Sequence, residues 1–313
     1  MTFKRNGCYA GLDVGKQWLD LAIHDVDGTR QFSNSPAGVK KLIIHLSRLD
    51  PALVVVEATG GYEQLIVQAM FSAGISVHVA NPTRIRSYAR AKGVLAKTDT
   101  IDAVIITEYG YMLNPEPQNA KSEEEIRLRS MIMRREQLVE IRAAESNRLH
   151  TVHLCMKSSV EDHLRWLSGQ IEELDVQIQA LIHALPAVQA SVNLLKGIPG
   201  VGPITAATVQ AEMPELGQVN RQQIAALAGL APYNRDSGKK RGRRRIFGGR
   251  KSVRRVLYMA CISGIRHNPV IRKMYEQKIA EGKPFKVAIT ACMRKLLVIM
   301  NAMVRDGTAW SYT

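Results

Sequence analysis

The chain has 313 residues, 46% of them apolar, and a formal charge of +15 with a pI near 9.8. This length and apolar content allow one or more buried cores, which excludes a wholly disordered protein. The excess of positive charge favours a polyanionic partner, and nucleic acid is the commonest one. No uninterrupted apolar run reaches membrane-spanning length, so no membrane partner is expected.

The N-terminus and the cysteines indicate a cytoplasmic protein. The first residues, "MTFKRNGCYAGLDVG", lack the apolar core of a signal peptide. The cysteines lie far apart and without metal-ligand spacing, which predicts reduced thiols in a cytosolic protein. They are Cys8, Cys155, Cys261 and Cys292.

The first third of the chain has an α/β pattern. The segments "CYAGLDVG", "WLDLAIHD" and "RQFSNS" are predicted strands, and "PAGVKKLIIHLSRL" has helical spacing. The β-branched run "ALVVVEATG" is typical of a buried central strand. A helix over "YEQLIVQAMFSAG" and a strand "ISVHVAN" follow. After the turn signal Asn81-Pro82 comes a polar, basic stretch, and a helix is predicted from about Thr100.

The remainder of the chain is predicted to be mainly helical. Ser122 and Glu125 have the spacing of a capping box. Two long helices are expected from there to about Leu185, breaking at residues 157–159. They would form a helical coiled-coil segment that acts as a connecting hairpin or a dimerising arm. We therefore expect three domains, 1–120, 121–187 and 188–313.

Four carboxylates occupy positions where a metal site can form. Asp13 and Glu57 end two predicted strands, and Asp99 and Asp102 lie three residues apart at a helix start, on one face. Converging acids repel each other unless a divalent cation with oxygen ligands, such as Mg2+ or Mn2+, neutralises them. Taken singly, each acid could also be a turn or helix-capping residue. The strand and helix order with acids at these points is what a ribonuclease-H-like domain would show.

A glycine-rich turn is a candidate phosphate-binding element. The segment "LLKGIPGVGPITAATVQAEM" has the form of a helix-hairpin-helix. Gly200 and Gly202 permit close backbone approach, and amides at the second helix's N-terminus can hold a phosphate. The alternative is a tight structural turn between packed helices.

The most basic segment lies between residues 237 and 255, which contain ten Lys or Arg and no acid. Its glycines argue against one continuous helix. A loop that becomes ordered on a phosphate backbone fits this composition, and a solvated charge run is the alternative. Ser237 at its edge is a turn former or a nucleophile that neighbouring cations would assist. The candidate nucleic-acid contacts are Lys239, Lys240, Arg241, Arg243, Arg244, Arg245, Arg250 and Lys251.

These segments, in order, resemble the DEDD transposases of the insertion-sequence 110 family, also called bridge-RNA-guided recombinases. The likeness is carried by "GLDVGK", "VVVEATGGYE", "KTDTIDA", "GIPGVGPITA", "LAGLAPYNRDSG", "VRRVLYMA" and "GKPFKVAITACMRKLLVIMNAM". It implies a RuvC-like N-terminal domain whose magnesium site is formed by Asp13, Glu57, Asp99 and Asp102. It also implies that Ser237 in a C-terminal transposase domain is the nucleophile.

The resemblance further implies the partners. These are donor and target DNA, a non-coding guide RNA encoded by the element, and further copies of the chain in a homo-oligomer, dimer to tetramer. The protein would act at the nucleoid of a prokaryotic cell. Two alternatives stay open from the residues alone: a metal-dependent junction-resolving nuclease in which Ser237 is a turn residue, and a non-enzymatic nucleic-acid-binding protein.

Overall fold

The structure, a computed structural model, describes residues 7–94, 99–120, 122–233 and 245–311, without the side chains of 99–101. The chain divides into two compact units, 1–121 and 122–313. The sequence-based division of the second unit at residue 187 stays a prediction.

The first unit alternates strands and helices in the predicted order. Its strands and helices are β1 (Tyr9–Val14), β2 (Trp18–Ile23), β3 (Thr29–Ser33), α1 (Pro36–Leu49), β4 (Leu53–Glu57), α2 (Gln64–Ser72), β5 (Val77–Ala80), α3 (Pro82–Ala91) and α4 (Asp99–Leu113). The helix α3 was not predicted, because its ten residues are mostly polar and only one of them, Ile85, is fully buried.

The strands form one five-stranded sheet in the order β3-β2-β1-β4-β5. β2 pairs antiparallel with β1 and with β3, whereas β4 pairs parallel with β1 and β5 pairs parallel with β4. In the register of β1 and β4, Gly11 lies beside Val55 and Leu12 beside Val56. Successive side chains alternate between the two faces of the sheet.

Both faces of the sheet are covered. On one face, Leu12, Val54 and Val56 pack with buried residues of α1 and α2 such as Leu42 and Ile66. On the other face, apolar residues of the strands pack with α3 and α4, namely Tyr9, Leu53, Val55, Ile85, Ile105, Ile106 and Tyr109. The buried run of β4 follows from this arrangement, because a strand covered on both faces must be apolar on both.

The second unit is almost entirely helical. Its elements are α5 (Glu123–Leu149), α6 (Leu154–Ala184), α7 (Pro186–Lys196), α8 (Pro203–Glu212), α9 (Arg221–Leu227), β6 (Pro232–Tyr233), β7 (Arg245–Ile246), α10 (Lys251–His267), α11 (Pro269–Ala280) and α12 (Phe285–Asp306). A mixed sheet followed by a mainly helical part fits the α/β, ribonuclease-H-like prediction in its coarse form.

The first long helix begins at the predicted capping box, but the break between the two long helices lies elsewhere. At the start of α5 the Glu125 amide donates to Ser122 Oγ at 3.2 Å and the Ser122 amide donates to Glu125 Oε2 at 2.9 Å, which confirms the capping box. The predicted break at 157–159 is wrong, because α5 ends at Leu149 and α6 begins at Leu154. His153 caps α6 by accepting from the Cys155 amide, and the serines after it lie on the exposed first turns.

The core of the second unit surrounds α12. This helix contacts α7, α9, α10 and α11, α8 packs on α7 and α10, and the start of α5 with the end of α6 joins the same core through Leu128 and Ile182. Within the described residues, α12 is the one single helix long and apolar enough to cross a membrane, and half of its apolar window is buried inside the protein. Its apolar character is therefore explained by its central place in the core.

Candidate functional site

Two of the four predicted acids lie side by side at one end of the sheet. Asp13 is the penultimate residue of β1, and Glu57 is the last residue of β4. Because Leu12 is in register with Val56, Asp13 and Glu57 follow as neighbours on the two parallel strands. Both side chains are half-buried, and Asp13 Oδ1 accepts from the Val14 amide at 3.0 Å.

Both acids project from the face that α4 covers. A Cβ added to Gly11 would lie 2.3 Å from the Thr107 amide nitrogen, and one added to Gly110 would lie 2.7 Å from Val55 Cγ2. Gly11 and Val55 therefore face α4. Asp13 and Glu57 come two residues later on the same strands, so they point to the same side.

The acidic start of α4 extends toward this end of the sheet. The C-terminal end of α4 lies at the start of β1, where Tyr9 Oη donates to Asn114 Oδ1 at 2.9 Å, and Thr107 crosses β1 at Gly11. The helix thus runs antiparallel to β1. Asp102 precedes Thr107 by five residues, about 7.5 Å along the axis, which brings it toward the end that carries Asp13. Asp99 begins the same helix, and its side chain lies outside the described residues.

The donor chemistry of these residues suits a hard divalent cation, since carboxylate oxygens are what Mg2+ and Mn2+ prefer. Among the residues whose side chains the structure describes, no group of three or more His, Cys, Asp or Glu is gathered closely enough to hold a metal ion. Asp13, Glu57 and Asp102 share one end and one face of the sheet without forming a closed ligand set. The four-acid metal site stays a prediction.

Sequence reasoning missed a fifth acid in this region. Asp20 on β2 is directly opposite Asp13, so the two side chains share a face of the sheet. Asp20 is only 8% exposed, and its Oδ1 accepts from Gln31 Nε2 at 3.0 Å. An acid at an inward position of the alternating run "WLDLAI" was the available signal, because a buried carboxylate needs a partner.

The glycine-rich turn joins α7 to α8, and its two candidate glycines differ in surroundings. Gly200 has φ of +96°, and a Cβ there would lie 2.8 Å from the Gly264 amide nitrogen and 2.9 Å from the Ala260 carbonyl oxygen of α10. Its lack of a side chain therefore lets the turn pack on α10. Gly202 is the N-cap of α8, with no side-chain cap and with open space around the position of a Cβ. The phosphate-binding role stays a prediction. Of the two glycines, Gly202 is the better placed to approach a phosphate, because the space around it is open.

Ser237 and five of the eight candidate nucleic-acid contacts lie outside the described residues. These five are Lys239, Lys240, Arg241, Arg243 and Arg244. Arg245 is exposed on β7, opposite Tyr233 of β6. Arg250 is the N-cap of α10, and its guanidinium donates to Glu215 Oε1 at 2.7 Å. Lys251 begins α10, exposed, with its Nζ 3.6 Å from Glu140 Oε1.

The backbone before residues 234–244 and the backbone after them are in direct contact. A Cβ on Gly249 would lie 2.0 Å from the Gly229 amide nitrogen, so the two backbones touch. Arg254 fixes the contact by donating from Nη1 to the Ala228 carbonyl at 3.0 Å and to the Gly248 carbonyl at 2.5 Å. Arg254 therefore acts inside the protein and not as a free cation.

A further cluster of charges links α5 to α10. Arg255 Nη1 lies 2.9 Å from Glu136 Oε1, and its Nη2 donates to Glu140. This hydrogen bond, with the arginine's charge, holds the pKa of Glu140 below its usual range. Burial raises the pKa of Glu136, against the opposing effect of Arg255. The cluster uses basic residues that sequence reasoning counted with the exposed segment, so part of that charge is structural.

Comparison with known proteins gives a consistent set of likenesses. Residues 10–154 match a family model described as a DEDD transposase of the IS110 type, and residues 192–276 match one described as "Transposase IS116/IS110/IS902 family". Proteins named "Pilin gene-inverting protein" from Moraxella bovis and Moraxella lacunata are each 30% identical over 309 residues, which is 96% of this chain and 96% of theirs.

Two shorter likenesses are also found. An "Insertion element IS110 uncharacterized 43.6 kDa protein" from Streptomyces coelicolor is 29% identical over 152 residues, 48% of this chain and 36% of its own length. Among solved structures, RuvC of Thermus thermophilus is 20% identical, with a TM-score of 0.29 over 36% of this chain and 99% of that one.

Proposed function

The chain belongs to the insertion-sequence 110 family of transposases, and on this premise we propose that it cuts and rejoins DNA through a covalent link to Ser237. It is a DNA transposase or recombinase. The observation that carries the proposal is the full-length likeness to gene-inverting proteins, together with matches to both family models in their order along the chain. Inverting a gene requires breaking and rejoining DNA.

The first unit would supply the phosphate-activating acids in a RuvC-like domain. Asp13 and Glu57 on adjacent parallel strands, with Asp102 and Asp99 from α4, are the residues proposed to hold Mg2+ or Mn2+. When bound, a divalent cation polarises a phosphodiester and stabilises the attacking and leaving oxygens. The packing of α4 on Gly11 would fix the distance between the strand acids and the helix acids.

Ser237 would be the nucleophile. Its Oγ would form a bond to phosphorus as the bond from phosphorus to one deoxyribose oxygen breaks, and the freed oxygen would take up a proton. The phosphoserine ester retains the bond energy for rejoining, so no external energy source is needed. The cations that follow Ser237 in sequence would lower the cost of the developing negative charge.

The remaining partners are part of the same proposal. A non-coding RNA would select donor and target DNA by base pairing. The protein would contact the nucleic-acid backbone and recognise the geometry of the duplex. Gly202 at the open start of α8 and the basic segment around Arg245 would contact phosphates without reading sequence. Joining two DNA partners requires several active sites, which favours a homo-oligomer in the bacterial cytoplasm.

The test is a search for protein-linked DNA. The full-length protein is incubated with Mg2+, a labelled DNA fragment containing its gene with the flanking sequence, and RNA transcribed from those flanks. Denaturing electrophoresis then separates free DNA from DNA joined to protein. Wild type should give an adduct that Ser237→Ala lacks, while RNA and DNA binding persist.

Three outcomes would overturn the serine mechanism. Free cleaved ends without any adduct would indicate hydrolysis by metal-activated water, the activity of a junction-resolving nuclease. Recombination by Ser237→Ala would show that the serine is not the nucleophile. Binding without strand cleavage by wild type would leave only a nucleic-acid-binding protein.

A further inference from the structure

The unpredicted helix α3 presents a basic face to solvent. It begins with Asn81 as N-cap, whose side chain accepts from the Thr83 amide at 2.8 Å. Arg84, Arg86 and Arg90 are exposed on it, and the helix contains no acid. None of these three arginines forms an ion pair within the described part of the first unit. The next cation along the chain, Lys92, pairs with Glu108. Three arginines on ten residues, without an ion pair among the described side chains of the first unit, attract polyanions.

A cleft runs beside this face, between α3 and α4. Its volume is about 450 Å3, and its lining combines one cation, two hydroxyls, two aromatic rings and an apolar side chain. These are Arg84, Thr83, Ser87, Tyr88, Tyr109 and Leu113. Tyr109 is buried and meets the ring of Tyr88 edge to face, with 5.8 Å between ring centres. The buried ring thus holds Tyr88 in place at the cleft.

We propose that this cleft and the arginine face of α3 bind a single strand of nucleic acid. Arg84 at the cleft would neutralise one phosphate, and Arg86 and Arg90, one turn apart on the exposed side of α3, would neutralise neighbouring ones. A base or sugar would pack against Tyr88 and Leu113. Proteins hold single strands by such a combination of cations along the backbone and aromatic or apolar surface for the bases. A cleft of this volume takes a unit of about one nucleotide and not a duplex.

The cleft lies on the helix that carries the candidate metal-binding acids. Tyr109 and Asp102 are seven residues apart on α4, so they lie on the same stripe, about 10 Å apart along the axis. α3 and α4 cover the same face of the sheet. A strand bound in the cleft would be guided along α4 toward Asp102. The inference rests on the proposed function only in taking nucleic acid as the substrate.

The experiment compares two full-length triple variants. Arg84→Ala/Arg86→Ala/Arg90→Ala removes the charges of α3. Lys40→Ala/Lys41→Ala/Arg48→Ala removes the same charge from exposed positions of α1, which covers the opposite face of the same sheet. Fluorescence anisotropy measures binding of labelled oligo-dT, oligo-U and a mixed-sequence DNA duplex over a range of salt concentrations. Circular dichroism verifies that both variants are folded.

The α3 variant should bind a single strand on the order of tenfold or more weakly. Its salt slope should fall by about two, because each phosphate that is no longer neutralised lowers the slope by roughly 0.7. The α1 variant should change affinity less than twofold. Weaker binding of oligo-U alone would assign the strand as RNA, and weaker binding of oligo-dT alone would assign it as DNA. Tyr88→Ala should weaken single-strand binding without altering the salt slope, because the ring contributes no charge.

The proposal is overturned if the α3 variant binds single strands as wild type does, or loses no more affinity than the α1 variant. It is equally overturned if only duplex binding falls. None of these readouts requires strand cleavage, so a failure of the serine mechanism would leave the result interpretable.

Discussion

Gly11 of β1 and Thr107 of α4 are in backbone contact, with no room for even a methyl group between strand and helix. Thr107 is buried, and its hydroxyl donates to the Ala103 carbonyl at 2.8 Å and contacts the Ala22 carbonyl at 3.2 Å. The contact fixes the position of α4 along its own axis relative to β1. It therefore also fixes where Asp102 lies relative to the strand that carries Asp13.

Gly11→Ala should destabilise the first unit and impair catalysis together. The added methyl would lie 2.3 Å from the Thr107 amide nitrogen, so α4 must shift, at a cost of roughly 3 kcal/mol. Urea unfolding measures the change in free energy, with Gly15→Ala as the control because its Cβ would lie an ordinary 3.4 Å from its nearest neighbour. Equal stability of both variants would contradict the close packing.

Asp13→Asn should abolish strand cleavage and leave the fold intact. The amide oxygen can still accept from the Val14 amide, but it binds a divalent cation much more weakly than a carboxylate. The measurement is cleavage of labelled DNA at increasing Mn2+ and Mg2+, with the exposed Asp27→Asn as control. Cleavage at the wild-type rate by Asp13→Asn would remove this acid from the mechanism.

Gly200→Ala should be strongly destabilising, whereas Gly202→Ala should cost only about 0.5–1 kcal/mol, the loss expected when alanine replaces glycine at a helix N-cap. The first substitution puts a methyl group against the α10 backbone at a positive φ, which together cost roughly 2–4 kcal/mol. Thermal unfolding separates the two variants. If Gly200→Ala unfolds like wild type and instead loses only DNA affinity, the phosphate-binding interpretation is correct for Gly200.

Replacing Arg243, Arg244 and Arg245 with Ala should lower the salt slope of duplex DNA binding by up to about three, at roughly 0.9 per neutralised phosphate. The variant with Lys40, Lys41 and Arg48 replaced serves again as the control for equal charge. An unchanged slope would mean that these arginines are a solvated charge run and contact no phosphate.

The ion pair of Glu140 should make stability depend on pH in the acid range. Because its pKa is lowered in the folded state, chiefly by the hydrogen bond from Arg255, its contribution is complete above the unfolded value of about 4.3. That contribution is lost as pH falls through the folded pKa. Urea midpoints measured from neutral pH into this range should fall less steeply for Glu140→Gln than for wild type. The exposed Glu276→Gln on α11 should retain the wild-type pH dependence.

The strands of the first unit were predictable because buried strands leave a strong apolar signal. The five predicted strands are present, and the adjacency of Asp13 and Glu57 follows from parallel strands ending at one edge. The helix α3 was missed although Asn81 and Pro82 are a good helix start, because its polar face outweighs its single buried residue. A mostly polar helix of ten residues offers too few apolar positions to be detected from apolar spacing.

The contacts of the candidate site depend on residues far apart in sequence. The turn at Gly200 was interpreted as a phosphate site, and no local pattern reveals that Gly264 of α10 packs against it. In the same way Arg255 was counted as part of a free basic run, although Glu136 and Glu140 on α5 neutralise it. Sequence spacing shows which charges exist, but only tertiary packing shows which of them are compensated.

The contact between Gly229 and Gly249 has a consequence for how this family can vary. The backbone contact and the β6–β7 ribbon bring together the two stretches of chain that flank residues 234–244. Both contacts are made by residues outside that segment. For a connection whose two ends are already joined, the entropic cost of closure grows only as the logarithm of its length, about 0.6 kcal/mol for each doubling. We therefore expect a change in the number of residues between 233 and 245 to alter the stability of the helical core little, so that the part of the chain proposed to meet DNA can vary in length separately from the scaffold that carries it.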